Sequence, residues 1–362
     1  MQRKFPVVND KLPAFWHGGD YNPDQWPREV WDEDMRLMKL AHVNLATVGV
    51  FSWTQLQPGP NDFTFGWLDE VMNKLAENGR YAVLATPTAA QPAWMSRMHP
   101  DVLRAHPDGR RRHHGARVNY CPNSATYRSY ARRIARKLAE RYGDHDALVA
   151  WHVSNEYGGA AHNGYCWCDT CAEAFRHWLR DKYGSLETLN EAYWAAFWSH
   201  TYTDWAEVDP PYKDGEYAIA ALTLDWHRFM SGSMLDCYLN EARVLRKIAP
   251  GVPVTTNLMG FHQGNDDHVW APHLDVVSWD SYPAPGSDPA DTAALHRLTY
   301  GLKRKPFLLM ESAPSSVNWQ GLASLKKPGE LRNWSYQSVA NGADSVMYFQ
   351  WRAGRGGHEK HH

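Results

Sequence analysis

Short apolar runs alternate with amphipathic helical segments along this chain, and that alternation restricts the possible folds more than any other feature. Such runs fit buried parallel strands, and their alternation with helices favours a parallel sheet with crossover helices. The predicted strands are residues 14–18, 43–50, 81–86, 147–153, 252–258, 275–280, 307–311 and 345–351. They predict an α/β fold, a (β/α)8 TIM barrel, and 362 residues is a normal length for one with inserted loops.

Two long connections interrupt the alternation. Residues 87–123 form a loop rich in His, Arg and Pro, which is too long to be a mere connection in a compact domain. Residues 172–205 contain helical segments rich in Trp and Tyr. Both connections come after a predicted strand, and we therefore expect inserted loops and helices on the C-terminal face of the barrel, where barrel enzymes keep their active sites.

Charge and hydropathy argue against several classes of partner. The net charge is −2 and the isoelectric point is near 6.8, which gives no electrostatic basis for binding nucleic acid or a membrane surface. Residues 1–11 contain no apolar core of signal-peptide length, and no run of the sequence approaches the length of a membrane span. We therefore expect a cytoplasmic protein with no nucleic-acid or membrane partner.

Two glutamates lie at predicted strand ends. Glu156 follows the run 147–153, and Glu311 ends the run 307–311. Glycoside hydrolysis needs one carboxyl group that protonates the leaving oxygen and a second that attacks the anomeric carbon or activates water. A single carboxylate at this position is equally well explained by a structural ion pair with Arg. The pair, at the fourth and seventh strands of one barrel, favours a glycosidase.

Four of the five cysteines follow a spacing typical of a metal site. Cys121 is followed by Cys166, Cys168 and Cys171, and four thiolates at this spacing can hold one Zn²⁺ tetrahedrally. Four protein ligands leave no open position for water, so this metal is predicted to be structural. Reduced thiols without a metal are an alternative, while disulfides are disfavoured in a cytoplasm. The fifth, Cys237, lies on a predicted long helix and is expected to be buried.

Several segments together resemble glycoside hydrolase family 42, the bacterial β-galactosidases built on this barrel. They are GGDYNPDQWP at 18–27, VNYCPN at 118–123, SNEYG at 154–158 and MES at 310–312. The resemblance runs from about Phe15 to the last residue. It implies a retaining exo-β-galactosidase with Glu156 as acid/base and Glu311 as nucleophile. It also includes the cysteines, because family members that carry them hold zinc near the catalytic face.

The resemblance implies six substrate-binding residues as well. Arg117 and Asn155 match positions that hold the sugar near the acid/base, and Tyr282 matches a tyrosine close to the nucleophile. Trp319 matches a tryptophan that forms one wall of the galactose site. Glu359 and His362 match a Glu and a His that bind galactose hydroxyls. These side chains suit a sugar, because planar polar groups read fixed hydroxyls and an indole face accepts the apolar side of the ring.

The family resemblance also bears on domains and assembly. Family members continue beyond the barrel into further domains, and many form trimers. We therefore expect residues 1–362 to be a single catalytic barrel that lacks its closing helix and the C-terminal domains, and we expect a homotrimer for the complete protein. Alternative functions are an exo-glycosidase for β-D-fucosides or α-L-arabinopyranosides, a barrel that binds sugar with little activity, and a metalloenzyme.

Overall fold

The apolar runs form short parallel strands in the computed structural model, which describes residues 5–215, 219–284, 286–317, 319 and 325–360. The strands are β1 (Trp16–Tyr21), β2 (Leu45–Val48), β3 (Tyr81–Thr86), β4 (Leu148–Val153), β5 (Val254–Thr255), β6 (Asn257–Leu258), β7 (Ser278–Asp280), β8 (Phe307–Glu311) and β9 (Ala343–Tyr348). They form one sheet in the order β5-β4-β3-β2-β1-β9-β8-β7-β6. Each pairing between neighbours in this order is parallel.

The two ends of this strand order are pieces of one strand. Only Thr256 separates β5 from β6, and β5 pairs with β4 while β6 pairs with β7. The sheet therefore curves back on itself through eight strand positions. The predicted (β/α)8 barrel is confirmed, and the predicted strand 252–258 is present in two short parts.

Helices connect the strands. They are α1 (Glu29–Leu40), α2 (Trp53–Leu56), α3 (Gly66–Glu77), α4 (Ala93–Met98), α5 (Ala125–Tyr142), α6 (Asp169–Tyr183), α7 (Leu186–Tyr193), α8 (Ala220–Ile248), α9 (Asp267–Trp270), α10 (Pro289–Lys303) and α11 (Glu330–Ala340). The longer ones show the expected pattern: α3 buries Leu68, Val71, Met72 and Leu75 on one face. Within the described part of the chain, no helix has the length and apolar character that crossing a membrane requires.

The insertions lie where the strand order predicts. The loop 87–123 follows β3 and contains α4, and the insertion after β4 contains α6 and α7. Both therefore leave the C-terminal ends of strands and extend the C-terminal face of the barrel. Most of the predicted strand ends shift by a few residues. For example, β9 ends at Tyr348 and not at Trp351, although the Phe349 N–H still donates at 3.0 Å to the carbonyl of Ser312, the residue that follows β8.

Successive side chains of a strand point to opposite sides of the sheet, and the apolar residues of the strands therefore fall into two clusters. In β3, Ala82 and Leu84 belong to the large cluster that includes the helices, whereas Val83 packs with Leu308 and Met347 in a smaller one. The smaller cluster therefore fills the interior of the barrel. Apolar packing inside the barrel leaves its C-terminal end for polar side chains.

We expect Gly18→Ala to destabilise the barrel strongly. A Cβ atom at Gly18 would lie 1.7 Å from the carbonyl oxygen of Leu45, which belongs to the backbone of the neighbouring strand, so β1 and β2 would have to separate. The free energy of unfolding should fall by about 3 kcal/mol or more. Gly66→Ala is the control, because its Cβ atom would meet no atom within 4 Å. Equal midpoints in urea for the two variants would contradict this account of the β1–β2 contact.

Candidate active site

Glu156 and Glu311 face each other at the C-terminal end of the barrel. Glu156 follows β4, Glu311 is the last residue of β8, and both are at least nine-tenths buried. One carboxylate oxygen of each, and one of Asp280, lie within 4.8 Å of one another. Retaining glycosidases separate their two carboxyl groups by about 5–5.5 Å and inverting ones by about 6.5–9.5 Å. Oxygen atoms of Glu156 and Glu311 within 4.8 Å of each other favour the closer, retaining arrangement.

A strained turn presents Glu156 to the site. Ser154 and Glu156 have φ values of 59° and 42°, a left-handed conformation that is costly for residues other than glycine. Side chains from other strands hold the turn at both ends. The Ser154 N–H donates to Thr86 Oγ1 at 2.9 Å, and the Glu156 N–H donates to Asn257 Oδ1 at 2.8 Å.

Arg117 and Asn155 lie beside the two glutamates. Arg117 Nη2 is 2.5 Å from Glu156 Oε2. The Asn155 amide has partners at both ends when its oxygen accepts from Arg117 Nη1 at 2.7 Å and its nitrogen donates to Glu311 Oε1 at 3.1 Å. Burial lowers the pKa of the Arg117 guanidinium, but the charge and hydrogen bond of Glu156, together with the charges of Glu311 and Glu359, outweigh burial and the net pKa is raised.

Glu311 accepts hydrogen bonds at both of its oxygens. Tyr282 Oη donates to Oε2 at 2.6 Å, and Asn257 Nδ2 donates to Oε1 at 3.0 Å. Burial raises the pKa of Glu311 well above its ordinary value, and the charges of Asp20 and Glu156 raise it further, while the Tyr282 hydrogen bond opposes the shift. The two donors therefore favour the ionised form that a nucleophile requires.

Aromatic side chains extend the site into a cavity of about 910 Å³. The rings of Tyr282 and Trp319 meet edge to face, with centroids 5.3 Å apart, and 57% of Trp319 is exposed. The structure brings seven of the predicted catalytic and substrate-binding residues together in the lining of this cavity: Arg117, Asn155, Glu156, Tyr282, Glu311, Trp319 and Glu359. The eighth, His362, lies outside the described residues.

The four predicted metal ligands form a buried cluster in the connections that follow β3 and β4. The sulfur atoms of Cys121, Cys166, Cys168 and Cys171 lie within 4.8 Å of one another. Cys121 Sγ is 3.6 Å from Cys168 Sγ and 3.5 Å from Cys171 Sγ, distances far beyond the S–S bond of about 2.05 Å. The Ala105 N–H donates to Cys166 Sγ at 3.2 Å, and the Asn123 amide donates to Cys171 Sγ at 3.4 Å. Four sulfur ligands with donors directed at them can hold a metal ion.

Comparison with known proteins identifies the family. The family model of glycoside hydrolase family 42, described as β-galactosidase, matches residues 20–362. The β-galactosidase BgaP of Planococcus sp. (strain L4) is 52% identical over 98% of this chain and 53% of its own length. The chain belongs to glycoside hydrolase family 42.

Solved structures of family members have the same fold. The β-galactosidase from Rahnella sp. R3 matches with a TM-score of 0.96 and 45% identity, over 99% of this chain and 54% of that one. The enzyme from Bacillus circulans sp. alkalophilus matches with a TM-score of 0.94 and 48% identity, over 98% of this chain and 53% of that one. The chain spans about half the length of the curated relatives it matches.

The site contains three further polar residues that the sequence analysis did not identify, Asp20, Asn257 and Asp280. Asp20 is 2% exposed at the end of β1, and burial raises its pKa to about 8. Asn257 donates to Asp280 Oδ2 at 2.5 Å as well as to Glu311. Each of the three lies at or near the C-terminal end of a barrel strand. The same positional rule that selected Glu156 and Glu311 would have found them.

Proposed function

We propose that this chain is the catalytic barrel of a retaining exo-β-galactosidase that removes terminal, non-reducing β-D-galactosyl residues. The observation that carries the proposal is the separation of Glu156 and Glu311, whose nearest carboxylate oxygens are within 4.8 Å, because this distance suits double displacement. Membership of family 42 and the names of the relatives, which are β-galactosidases, support the choice of sugar.

In the proposed reaction the two glutamates act in turn. Glu311 attacks the anomeric carbon while Glu156 donates its proton to the leaving oxygen, which gives a galactosyl ester of Glu311. Glu156, now ionised, then takes a proton from the water that hydrolyses this ester. Arg117 stabilises that ionised state through its contact with Glu156, and the hydrogen bond from Tyr282 stabilises the Glu311 carboxylate before attack and after release.

Galactose would occupy the cavity next to the two glutamates. Asn155 and Arg117 are proposed to bind its hydroxyl groups near the acid/base, the former through the 2-hydroxyl. Tyr282 and Trp319 would contact the ring, the indole through its apolar face, and Glu359 and His362 would bind the remaining hydroxyls. Initial rates on a panel of nitrophenyl glycosides test the sugar: hydrolysis of the fucoside or arabinopyranoside in preference to the galactoside would contradict the proposal.

Replacing each glutamate in turn should separate their roles. Glu311→Ala should abolish turnover in a folded protein, and azide should restore turnover with an α-galactosyl azide product, because azide attacks directly in place of the carboxylate. Glu156→Ala is the matched variant: on an activated substrate, azide should give the β-galactosyl azide, since the ester on Glu311 still forms. Product configuration by NMR decides the assignment, and the same anomer from both variants would refute it.

Tyr282→Phe should shift the pH dependence of the reaction. Loss of the 2.6 Å hydrogen bond removes an interaction that lowers the pKa of Glu311. The pKa of Glu311 therefore rises, and the acidic limb of kcat/KM moves to higher pH, since the ionised form attacks. At the optimum kcat/KM should fall by about tenfold or more. Tyr336→Phe, on the exposed face of α11, is the control. An unchanged acidic limb in Tyr282→Phe would contradict the role given to this hydroxyl.

We further propose that the cysteine cluster holds a structural Zn²⁺. Bonds of about 2.3 Å in a tetrahedral site place sulfur atoms about 3.8 Å apart, close to the 3.5 and 3.6 Å measured from Cys121. Four thiolates complete the coordination, so the ion would brace the loops that carry them and take no part in hydrolysis. Cysteines that bind a metal and form no disulfides also support the proposed cytoplasmic location. The homotrimer stays a prediction.

Removing the metal should affect stability before catalysis. Chelation should lower the melting temperature while kcat and KM stay constant in protein that is still folded. Cys171→Ser should lose the metal, whereas Cys237→Ser should keep it, because Cys237 is not part of the cluster. Metal content by mass spectrometry checks both variants. Loss of activity in folded, metal-free protein would overturn the structural role.

A further inference from the structure

A buried carboxyl group lies behind the turn that presents Glu156. Glu241, on α8, is fully buried and accepts from Thr88 Oγ1, which lies 2.9 Å from one of its oxygens and 3.2 Å from the other. Thr86 Oγ1 lies 3.4 Å from Thr88 Oγ1, within hydrogen-bond distance. Burial raises the pKa of Glu241 to about 7, and the two hydroxyls oppose that shift. The proposed reaction uses none of these groups directly.

The hydrogen bonds in this cluster have a fixed direction. Thr86 Oγ1 accepts from the Ser154 N–H at 2.9 Å, so its own proton is free to be donated. Thr88 donates its one hydroxyl proton to Glu241 and therefore accepts from Thr86 Oγ1 at 3.4 Å. A continuous series of hydrogen bonds thus runs from the backbone of Ser154 through Thr86 and Thr88 to Glu241.

This series ends at a backbone that needs support. Ser154 and Glu156 both have positive φ, and such a conformation persists only where surrounding groups hold it. Asn257 holds the Glu156 end, while Thr86 holds the Ser154 end. Burying the Glu241 carboxyl group costs free energy. The hydrogen bonds through the two threonine hydroxyls offset part of that cost and link Glu241 to the turn.

We propose that Glu241 is a positioning residue for the acid/base: through Thr86 and Thr88 it fixes the Ser154–Glu156 turn and so the direction of the Glu156 carboxyl group. The inference rests on the proposed function, because it concerns proton donation by Glu156. It makes a specific claim about which step depends on Glu241. Proton transfer to the leaving oxygen should suffer, whereas sugar binding and attack by Glu311 should not.

Leaving-group dependence tests this claim. A dinitrophenolate leaves without a proton, whereas an alkoxide needs one, so only the alkyl galactoside depends on the acid. Glu241→Gln keeps the size of the side chain but replaces one of the two oxygens near Thr88 Oγ1 with an amide NH2 group, a donor that competes with Thr86 for the Thr88 hydroxyl. We expect kcat/KM for methyl β-galactoside to fall by about tenfold or more and kcat/KM for dinitrophenyl β-galactoside to change by less than about twofold.

Asp225→Asn is the matched control. Asp225 lies on the same helix, is equally buried, and accepts from Tyr183 and Tyr193 in the insertion, away from the turn. This variant should lower the melting temperature without changing the ratio of the two kcat/KM values. In Glu241→Gln, equal losses on both substrates, or no loss on either, would overturn the inference.

A second pair of variants covers the case in which Glu241→Gln does not fold. Thr86→Val keeps the volume but removes the acceptor for the Ser154 N–H, and it should show the same selective loss on the alkyl substrate. Thr86→Ser keeps the hydroxyl and should lose far less. A Thr86→Val protein with an unchanged substrate ratio would overturn the inference. If the unaltered protein hydrolyses neither galactoside, the proposed function fails and this inference with it; an active protein with unselective variants defeats the inference alone.

Discussion

Four carboxyl groups share the buried mouth of this barrel, and the surrounding polar residues offset their repulsion. Asp20, Glu156, Asp280 and Glu311 are each at least nine-tenths buried. Burial and the neighbouring charges raise the pKa values of Asp20, Asp280 and Glu311. Like charges this close do not all ionise at neutral pH. The donors that contact Glu311 therefore favour the charge on that member of the group.

Asn257 is central to this site because it contacts two of the carboxyl groups and the backbone that carries a third. Its nitrogen donates to Asp280 and Glu311, and its oxygen accepts from the backbone of Glu156. His152 Nε2 lies 3.0 Å from the same oxygen, and burial lowers the pKa of His152 to about 4, so the ring is neutral and donates from Nε2. One amide on the interrupted fifth strand thus contacts the carboxyl groups of Asp280 and Glu311 and the backbone of Glu156.

The sequence predicted the framework of this site better than its details. Strands β3 and β8 have the predicted bounds, 81–86 and 307–311, because Pro87 and Glu311 end uniform apolar runs. The break at Thr256 had no such signal, since threonine is common in strands. In the sequence, Asn257 therefore differs from an ordinary strand residue only by its place next to the end of the predicted strand. Helix α11 was missed because its one fully buried residue is Ser338, which leaves little apolar periodicity to detect.

The tertiary contacts between inserted loops were beyond sequence reasoning, although the cysteine spacing pointed to one of them. Cys121 belongs to the connection after β3, whereas the other three cysteines belong to the connection after β4. A metal bound by all four would join these two loops, and Arg104 joins them again where its Nη1 donates to the Ala161 carbonyl at 2.8 Å. Both loops contribute to the cavity lining.

The glutamates themselves are held differently from the loops around them. Thr86 and Asn257, which fix the turn of Glu156, belong to β3 and β6, and Glu311 is part of β8. The carboxyl groups of Glu156 and Glu311 thus depend on the barrel, while the cysteine cluster lies between the inserted loops beside them. A metal at the four sulfur ligands would therefore stabilise these loops without entering the proposed chemistry, because the groups that hold Glu156 and Glu311 lie on the barrel strands and on α8.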